Sequence, residues 1–328
     1  MQAAFYERTG PAREVLQLGE LPDAEPGPGE VRVRLATSGV NPSDVKSRAG
    51  LRTTVLAFPR IVPHSDGAGV IDRVGAGVTA ARLGERVWVW NGAWKRAFGT
   101  AAQAIVLPAE QAVALPPQVP FDAGACLGIP ALTALHAVRM DGGVAGKSVL
   151  VTGGAGAVGH YAIQMARLAG ARLILATVSS NEKAALARKA GAGETIDYRH
   201  EDVAARVLAA TGGRGVDRVI EVDFAANVES SLAAVAAEGD IVVYGSGAGS
   251  IAVPFFPALL KNVRLRFFIV YNLSVTDRSV GVDQLSDWLR DGALVHHIAA
   301  RLPLQSIAEA HELVESGRAA GNVVLTIH

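Results

Sequence analysis

Apolar positions along this chain change their period twice. Up to about residue 122 they come in short runs broken by glycine and proline. Val31, Val33 and Leu35 alternate with Arg32 and Arg34, the two-residue period of a half-buried strand. Residues 67–74 and 86–89 read the same way, and the Pro/Gly-rich stretch at 25–30 is a turn cluster. Beyond residue 122, apolar runs at 148–152, 173–178, 195–198, 218–222, 241–244 and 265–270 predict strands. Stretches with the three-to-four-residue helical period separate most of them. Strands alternating with helices predict an α/β fold with a parallel, doubly wound sheet. From residue 294 short elements return, ending in Val323-Val324-Leu325-Thr326-Ile327, a run expected to pair back onto the first region. A chain of 328 residues is long enough for two cores. The expected division is a β domain from residues 1–122 and 294–328, and an α/β domain from residues 123–293.

Between the first α/β strand and its helix lies Gly154-Ala155-Gly156-Ala157-Val158-Gly159. A strand, this turn and a helix, in that order, make a cradle for a dinucleotide pyrophosphate. Gly154 is expected to make the tight turn, Gly156 to let the backbone approach the phosphates, and Gly159 to let the helix pack against its strand. Ala157 and Val158 open the helix, whose free N–H groups attract an anion. The next strand decides which dinucleotide. An NAD site places Asp or Glu at its end for the ribose 2′-hydroxyl. Here Val178 stands there, followed by Ser179, Ser180 and, one helical turn on, Lys183. Hydroxyls and a cation suit a 2′-phosphate, so NADPH is expected over NADH. Ser180 reads equally well as a helix N-cap, and both roles can coexist.

Charge narrows the partners. Lys plus Arg and Asp plus Glu each number 31, so no basic excess exists to release counterions from a nucleic acid or an anionic membrane. No stretch approaches the length of a membrane span, and no apolar signal core opens the chain, so a cytoplasmic protein is expected. One cysteine, Cys126, excludes internal disulfides and any cysteine-rich metal site.

Several short motifs lie outside the glycine turn. They are Gly39-Val40-Asn41-Pro42-Ser43-Asp44, Ser65-Asp66-Gly67-Ala68-Gly69-Val70-Ile71 and Gly84-Glu85-Arg86-Val87. Gly128-Ile129-Pro130-Ala131-Leu132-Thr133-Ala134 and Gly215-Val216-Asp217-Arg218-Val219-Ile220-Glu221 follow. With these motifs the chain resembles, over essentially its whole length, the zinc-free quinone oxidoreductases of the medium-chain dehydrogenase/reductase superfamily, similar to zeta-crystallin. The resemblance implies a Rossmann doubly wound sheet plus a GroES-like β-barrel domain built from both chain ends. It implies NADPH lying between the domains, with the nicotinamide facing Asn41. Compared with zinc-dependent relatives, Asn41, Ser65 and Ile129 stand at the thiolate, imidazole and second thiolate positions, and none is a comparable ligand. His64 and Cys126 are nearby but out of register, and no four-cysteine lobe is present. Hydride delivery to a conjugated C=C–C=O acceptor, a quinone or an enone, is the chemistry this implies.

Other residues take roles through the same resemblance. Asn41 would lie near nicotinamide and substrate and donate to a carbonyl oxygen, or it is simply a turn residue before Pro42. Thr133 would sit beside the nicotinamide amide, Tyr198 against the 2′-phosphate end, and Gly245 and Ser246 near the nicotinamide ribose. Phe268, Ile269 and Val270 would face the nicotinamide amide. Asn322 stands where many relatives carry lysine. Lys46 and Arg52 replace pocket tyrosines; Lys46 would orient a carbonyl or supply a proton, and Arg52 would attract an acidic or phosphate-bearing acceptor, unless both are solvated surface charges. Three of the four tryptophans fall at 88, 90 and 94, with Asn91 and Trp94 expected nearest a flat acceptor and the rest in the core. The alternatives are an enone, 2-haloacrylate or enoyl-thioester reductase, with Arg52 or Arg96 as phosphate partners, and an NADPH-binding structural or RNA-binding crystallin-like protein. Residues 264–271 would form an apolar edge strand that a homodimer covers.

Overall fold

The computed structural model describes all of residues 1–328 and divides into two compact units, Met1–Pro130 with Val282–His328, and Ala131–Gly281. The N-terminal strands are β1 (Gln2–Phe5), β2 (Gln17–Glu20), β3 (Glu30–Val40) and β4 (Asp66–Val74). After them come β5 (Arg86–Val89), β6 (Ala104–Pro108) and β7 (Ala112–Ala114). The central unit holds β8 (Ser148–Val151), β9 (Leu173–Val178), β10 (Glu194–Asp197), β11 (Val216–Glu221), β12 (Val235–Val243) and β13 (Arg264–Phe267). Two strands close the chain, β14 (Ile298–Pro303) and β15 (Asn322–Thr326).

In the β unit the long strand β3 organises the sheet. One of its edges pairs with β4, while the other is shared: residues 30–34 pair with β6 and residues 37–40 with β15. The C-terminal run therefore does return to the first region, with Val323 opposite Val40. Val31, Val33 and Leu35 point into a core with Ile71, Val87, Val89, Ile105 and Leu107. Arg32 is also buried, against the simple alternation, because Asp72 on β4 grips its guanidinium at 2.9 and 2.7 Å. Such a two-pronged pair compensates much of the desolvation of the charge. Trp88 is fully buried in β5 opposite Ala68 and Val113, so it fills the core.

The central unit has six parallel strands in the order β10-β9-β8-β11-β12-β13. The order reverses between β8 and β11, and in such sheets ligands bind at the carboxyl ends of the strands at that reversal. All of β8 is buried, as its unbroken apolar run requires. The run at 265–270 is only half a strand: β12 ends at Val243, whose carbonyl takes a last N–H from Phe268, and Val270–Asn272 then winds a single 3₁₀ turn. β13 lies at the edge of the sheet, as expected for residues 264–271. No helix is long and apolar enough to cross a membrane.

A buried polar chain ties the C-terminal helix Ile307–Glu315 into the β unit. Thr100 Oγ1 donates to the Asp66 carbonyl at 2.6 Å, so it must accept from Ser38 Oγ, 2.8 Å away. Ser38 then accepts from His64 Nδ1–H at 2.9 Å, and His64 Nε2 is left to accept from His311 Nε2–H at 2.9 Å. Both imidazoles are thus neutral, and both are fully buried. Burial pushes His64 down to about 3; burial, then His64 and Arg48, push His311 well below its ordinary value. A depressed folded-state value means that stability is whole above the unfolded value of about 6.5 and is lost as pH falls below it. Unfolding should take up two extra protons in that range, steepening the loss by roughly 2.7 kcal/mol per pH unit. His311→Phe should remove about half of that slope while costing about 1–3 kcal/mol at pH 7.5. Urea titrations at pH 5, 6 and 7.5 measure both, and an unchanged slope would contradict the assignment.

Candidate active site

The turn after β8 is built by close approach. Gly153, not Gly154, carries the left-handed backbone (φ +67°), which corrects the expected role of Gly154. Gly154 is needed for space: a Cβ there would lie 2.7 Å from that of Ala176 on β9. A Cβ on Gly159 would come within 2.2 Å of the Gly153 carbonyl oxygen. Gly156 caps the helix Ala157–Leu168 without a side chain, leaving the first-turn N–H groups of Ala157, Val158 and Gly159 outside the helical ladder. The loop is pinned to β9, since Thr177 takes the Gly153 N–H on its hydroxyl and the Gly154 N–H on its carbonyl, both at 2.9 Å. A pyrophosphate fits such a cradle on general grounds.

The neighbouring strand ends are equally fixed. Glu221, fully buried at the end of β11, accepts from Asp223 N–H (2.8 Å), Asn227 Nδ2 (2.9 Å) and Ser231 Oγ (2.7 Å). Thr152 Oγ1 lies 3.1 Å from it and accepts the Val222 N–H, joining the ends of β8 and β11. Glu221 thus braces these strand ends, while in the sequence it stood only as part of a motif. Gly245 follows β12 where a Cβ would meet the Val222 carbonyl oxygen at 2.2 Å, and the Ser246 hydroxyl donates to Ala248 O at 2.8 Å.

At the end of β9, Val178 and Ser179 are buried. Ser180 is the N-cap of Asn181–Ala190, its hydroxyl accepting the Lys183 N–H at 3.2 Å. Lys183 is half-buried beside it. Pairing of Asp197 with Val178 sets the exposed Tyr198 and Arg199 beside Ser179, and the Tyr198 N–H donates to the Val178 carbonyl at 3.1 Å. Hydroxyls, a phenol and cations are therefore grouped here; of the neighbouring carboxylates, Asp197 is turned to the Arg199 N–H and to His200, at 3.1 and 2.9 Å, and Glu182 is exposed in the first turn of the helix. Elsewhere in this unit Thr133 is buried in Leu132–Arg139, Phe268 sets its ring edge-on to His136 with centroids 4.7 Å apart, and Ile269 and buried Val270 follow it.

The β unit contributes a separate cluster. Asn41 caps the helix Pro42–Ala49 in a capping box, the Asp44 carboxylate accepting its N–H at 2.8 Å. Burial raises the Asp44 carboxyl to about 7 despite that bond. Asn41 Nδ2 donates to Asp66 Oδ2 at 2.9 Å, and Ile129 N–H donates to the same oxygen at 3.0 Å. Lys46 lies half-exposed on that helix, and Arg52 is exposed just beyond it. Asn91 is buried with a left-handed backbone (φ +55°) and Trp94 half-buried, its ring 5.9 Å from Lys95 Nζ. Arg96 is held by Gln111 at 2.6 Å. Asn322 spends its amide at the start of β15, donating to the His297 carbonyl at 2.9 Å. Cys126 donates to the Asp122 carbonyl at 3.2 Å, while His64 faces Ser38 and His311, so the two share no site.

Comparison with known proteins agrees with this layout. Residues 27–117 match the alcohol dehydrogenase GroES-like domain and residues 157–287 the zinc-binding dehydrogenase domain. The chain is 34% identical over 325 residues to a quinone oxidoreductase of Pseudomonas aeruginosa, covering 95% of each. The chain belongs to the quinone oxidoreductase branch of the medium-chain dehydrogenase/reductase superfamily. It is 33% identical to a 2-haloacrylate reductase of Burkholderia sp., covering 99% of this chain and 98% of that one. Its β unit is GroES-like and its central unit a Rossmann sheet. Among solved structures it matches an NAD-dependent alcohol dehydrogenase (TM-score 0.92, 31% identity, all of both chains). It also matches Escherichia coli quinone oxidoreductase complexed with NADPH (TM-score 0.88, 26% identity, 99% of this chain and 100% of that one). The zinc in the name of the matched domain does not suit the residues here. Asn41 is committed to Asp66, Ile129 offers only its backbone, and no three His, Cys, Asp or Glu side chains converge.

The turn itself can be tested. Gly159→Ala should cost about 1–3 kcal/mol in thermal or urea unfolding, because the methyl must displace backbone. Gly170→Ala, also after the turn but with open space around its Cβ, should cost only its left-handed backbone strain, about 1 kcal/mol.

Proposed function

We propose that this protein reduces quinones or related α,β-unsaturated carbonyl compounds with NADPH. The observation that carries the reading is the donor set at Asn41, which offers amide hydrogen where no three metal-ligating side chains converge. NADPH, when bound, supplies a hydride to the acceptor. The glycine turn with the N–H groups of Ala157, Val158 and Gly159 would hold its pyrophosphate. Ser179, Ser180, Lys183 and Tyr198 would hold the 2′-phosphate, in keeping with the NADPH complex of the E. coli relative. Thr133, Gly245, Ser246, Phe268, Ile269 and Val270 would line the nicotinamide end. Asn41 donates to the acceptor oxygen as charge develops there. Lys46 or water delivers the proton that completes the reduced product. Arg52, Asn91 and Trp94 border the acceptor. A second acceptor class, an enone, 2-haloacrylate or enoyl thioester, is favoured by the likeness to the Burkholderia enzyme.

Steady loss of nicotinamide absorbance with 9,10-phenanthrenequinone tests the activity, run beside 2-chloroacrylate and an enoyl thioester. Tight NADPH binding without turnover on any of them would defeat it. Val178→Asp should shift the kcat/KM ratio at least about tenfold toward NADH, since a carboxylate there repels a 2′-phosphate. An unchanged ratio would put the phosphate elsewhere.

The active species is proposed to be a homodimer. Phe267 on the edge strand β13 is exposed, and so are Phe255, Phe256, Leu259 and Leu260 on the preceding helix Phe255–Leu260. Two-fold pairing of β13 with itself would cover this apolar edge. Phe267→Asp should then elute as a monomer in size-exclusion chromatography; an unchanged elution volume would argue against that interface.

A further inference from the structure

We infer that Asp66 is the positioning residue of Asn41, holding one carboxamide N–H so that the other is presented to the acceptor oxygen. The inference rests on the role proposed above for Asn41. Asp66 is wholly buried at the first position of β4. A carboxylate there needs N–H donors to offset its lost hydration. Two reach the same oxygen, Asn41 Nδ2 at 2.9 Å and Ile129 N at 3.0 Å, one a side chain and the other fixed backbone. The backbone donor fixes the oxygen, and the oxygen fixes the carboxamide. Room for this is made by the residue before Ile129: a Cβ on Gly128 would lie 2.3 Å from Asp66 Oδ1. The Asp66 carbonyl is pinned as well, by Thr100 at 2.6 Å. Asn41 is held at its other end, because its N–H is bound by Asp44 in the capping box. A primary amide has two N–H groups and Asp66 takes one of them. With the carboxylate fixed, the amide cannot rotate to turn its oxygen toward the acceptor without facing oxygen to oxygen.

The test is a double-mutant cycle with a spectroscopic control. Asp66→Ala should lower kcat for acceptor reduction about 10–100-fold, less than the roughly 100–1,000-fold of deleting a donor outright because the Asn41 amide is still present, with the NADPH KM nearly unchanged. Asp66→Asn keeps an acceptor oxygen in place and should recover at least tenfold of that loss. Asn41→Ala combined with Asp66→Ala should be no slower than Asn41→Ala alone; a purely structural Asp66 would instead make the two losses multiply. Selectively ¹⁵N-labelled asparagine in the wild-type protein gives a readout that needs no turnover. The Asn41 carboxamide should show one downfield, slowly exchanging proton that disappears in Asp66→Ala. Fast exchange of both protons in the wild type, multiplying losses, or full activity of Asp66→Ala would each overturn the inference. An inactive wild type with the protected proton present would instead count against the proposed function alone.

Discussion

A carboxylate sealed from water holds the β unit's polar cluster together. Asp66 lies where an uncompensated charge would cost several kcal/mol, and the N–H groups of Asn41 and Ile129, arriving from fixed directions at one of its oxygens, offset part of that cost. The start of the helix Pro42–Ala49, the start of β4 and the backbone at Ile129 are consequently locked to one another. The nearby chain from Thr100 through Ser38 to His64 and His311 extends the same logic. Each hydroxyl has a single proton to give, so one committed donor sets the direction of every bond after it. The cluster is rigid because its members have no alternative arrangement of protons.

In the central unit rigidity comes from close approach. Apolar strands bury themselves without further help, but their carboxyl ends must carry polar backbone into open space. Glu221 and Thr152 join two of these ends, and Thr177 ties the glycine loop to a third. The result is a row of fixed N–H groups and strand ends that a phosphate can meet without reorganising the protein. Preorganisation of this kind is what turns weak backbone donors into an anion site.

Much of this was legible in the residues alone. The shift from two-residue to helical periodicity separated the β and α/β regions, because each fold buries its faces at its own spacing. The glycine turn was visible because only glycine tolerates that crowding. The residue with the left-handed backbone was misplaced by one, since Gly153 and Gly154 are indistinguishable until Ala176 is seen against the second. Phe268–Val270 looked like strand because they are apolar; pairing stops where β12 stops, which no local pattern encodes. Arg32 looked solvent-facing because its partner, Asp72, is on another strand. Asp66 and Glu221 stood in plain sight within motifs. Their importance depends on donors brought from distant segments, and a single sequence carries no sign of that.

The return of β15 to β3 has a consequence for how the chain is made. Residues 37–40 of β3 find their second neighbour only in residues 323–326, so the sheet around Val40 stays open-sided until those residues are made. The Rossmann unit is continuous in sequence and can close around its own core while the ribosome is still working. The β unit must wait for residues 323–326, with the backbone of β3 offered to any passing strand in the meantime. A nascent chain of this topology has its period of greatest hazard while residues 323–326 are still to come, when one core is finished and the other lacks a strand.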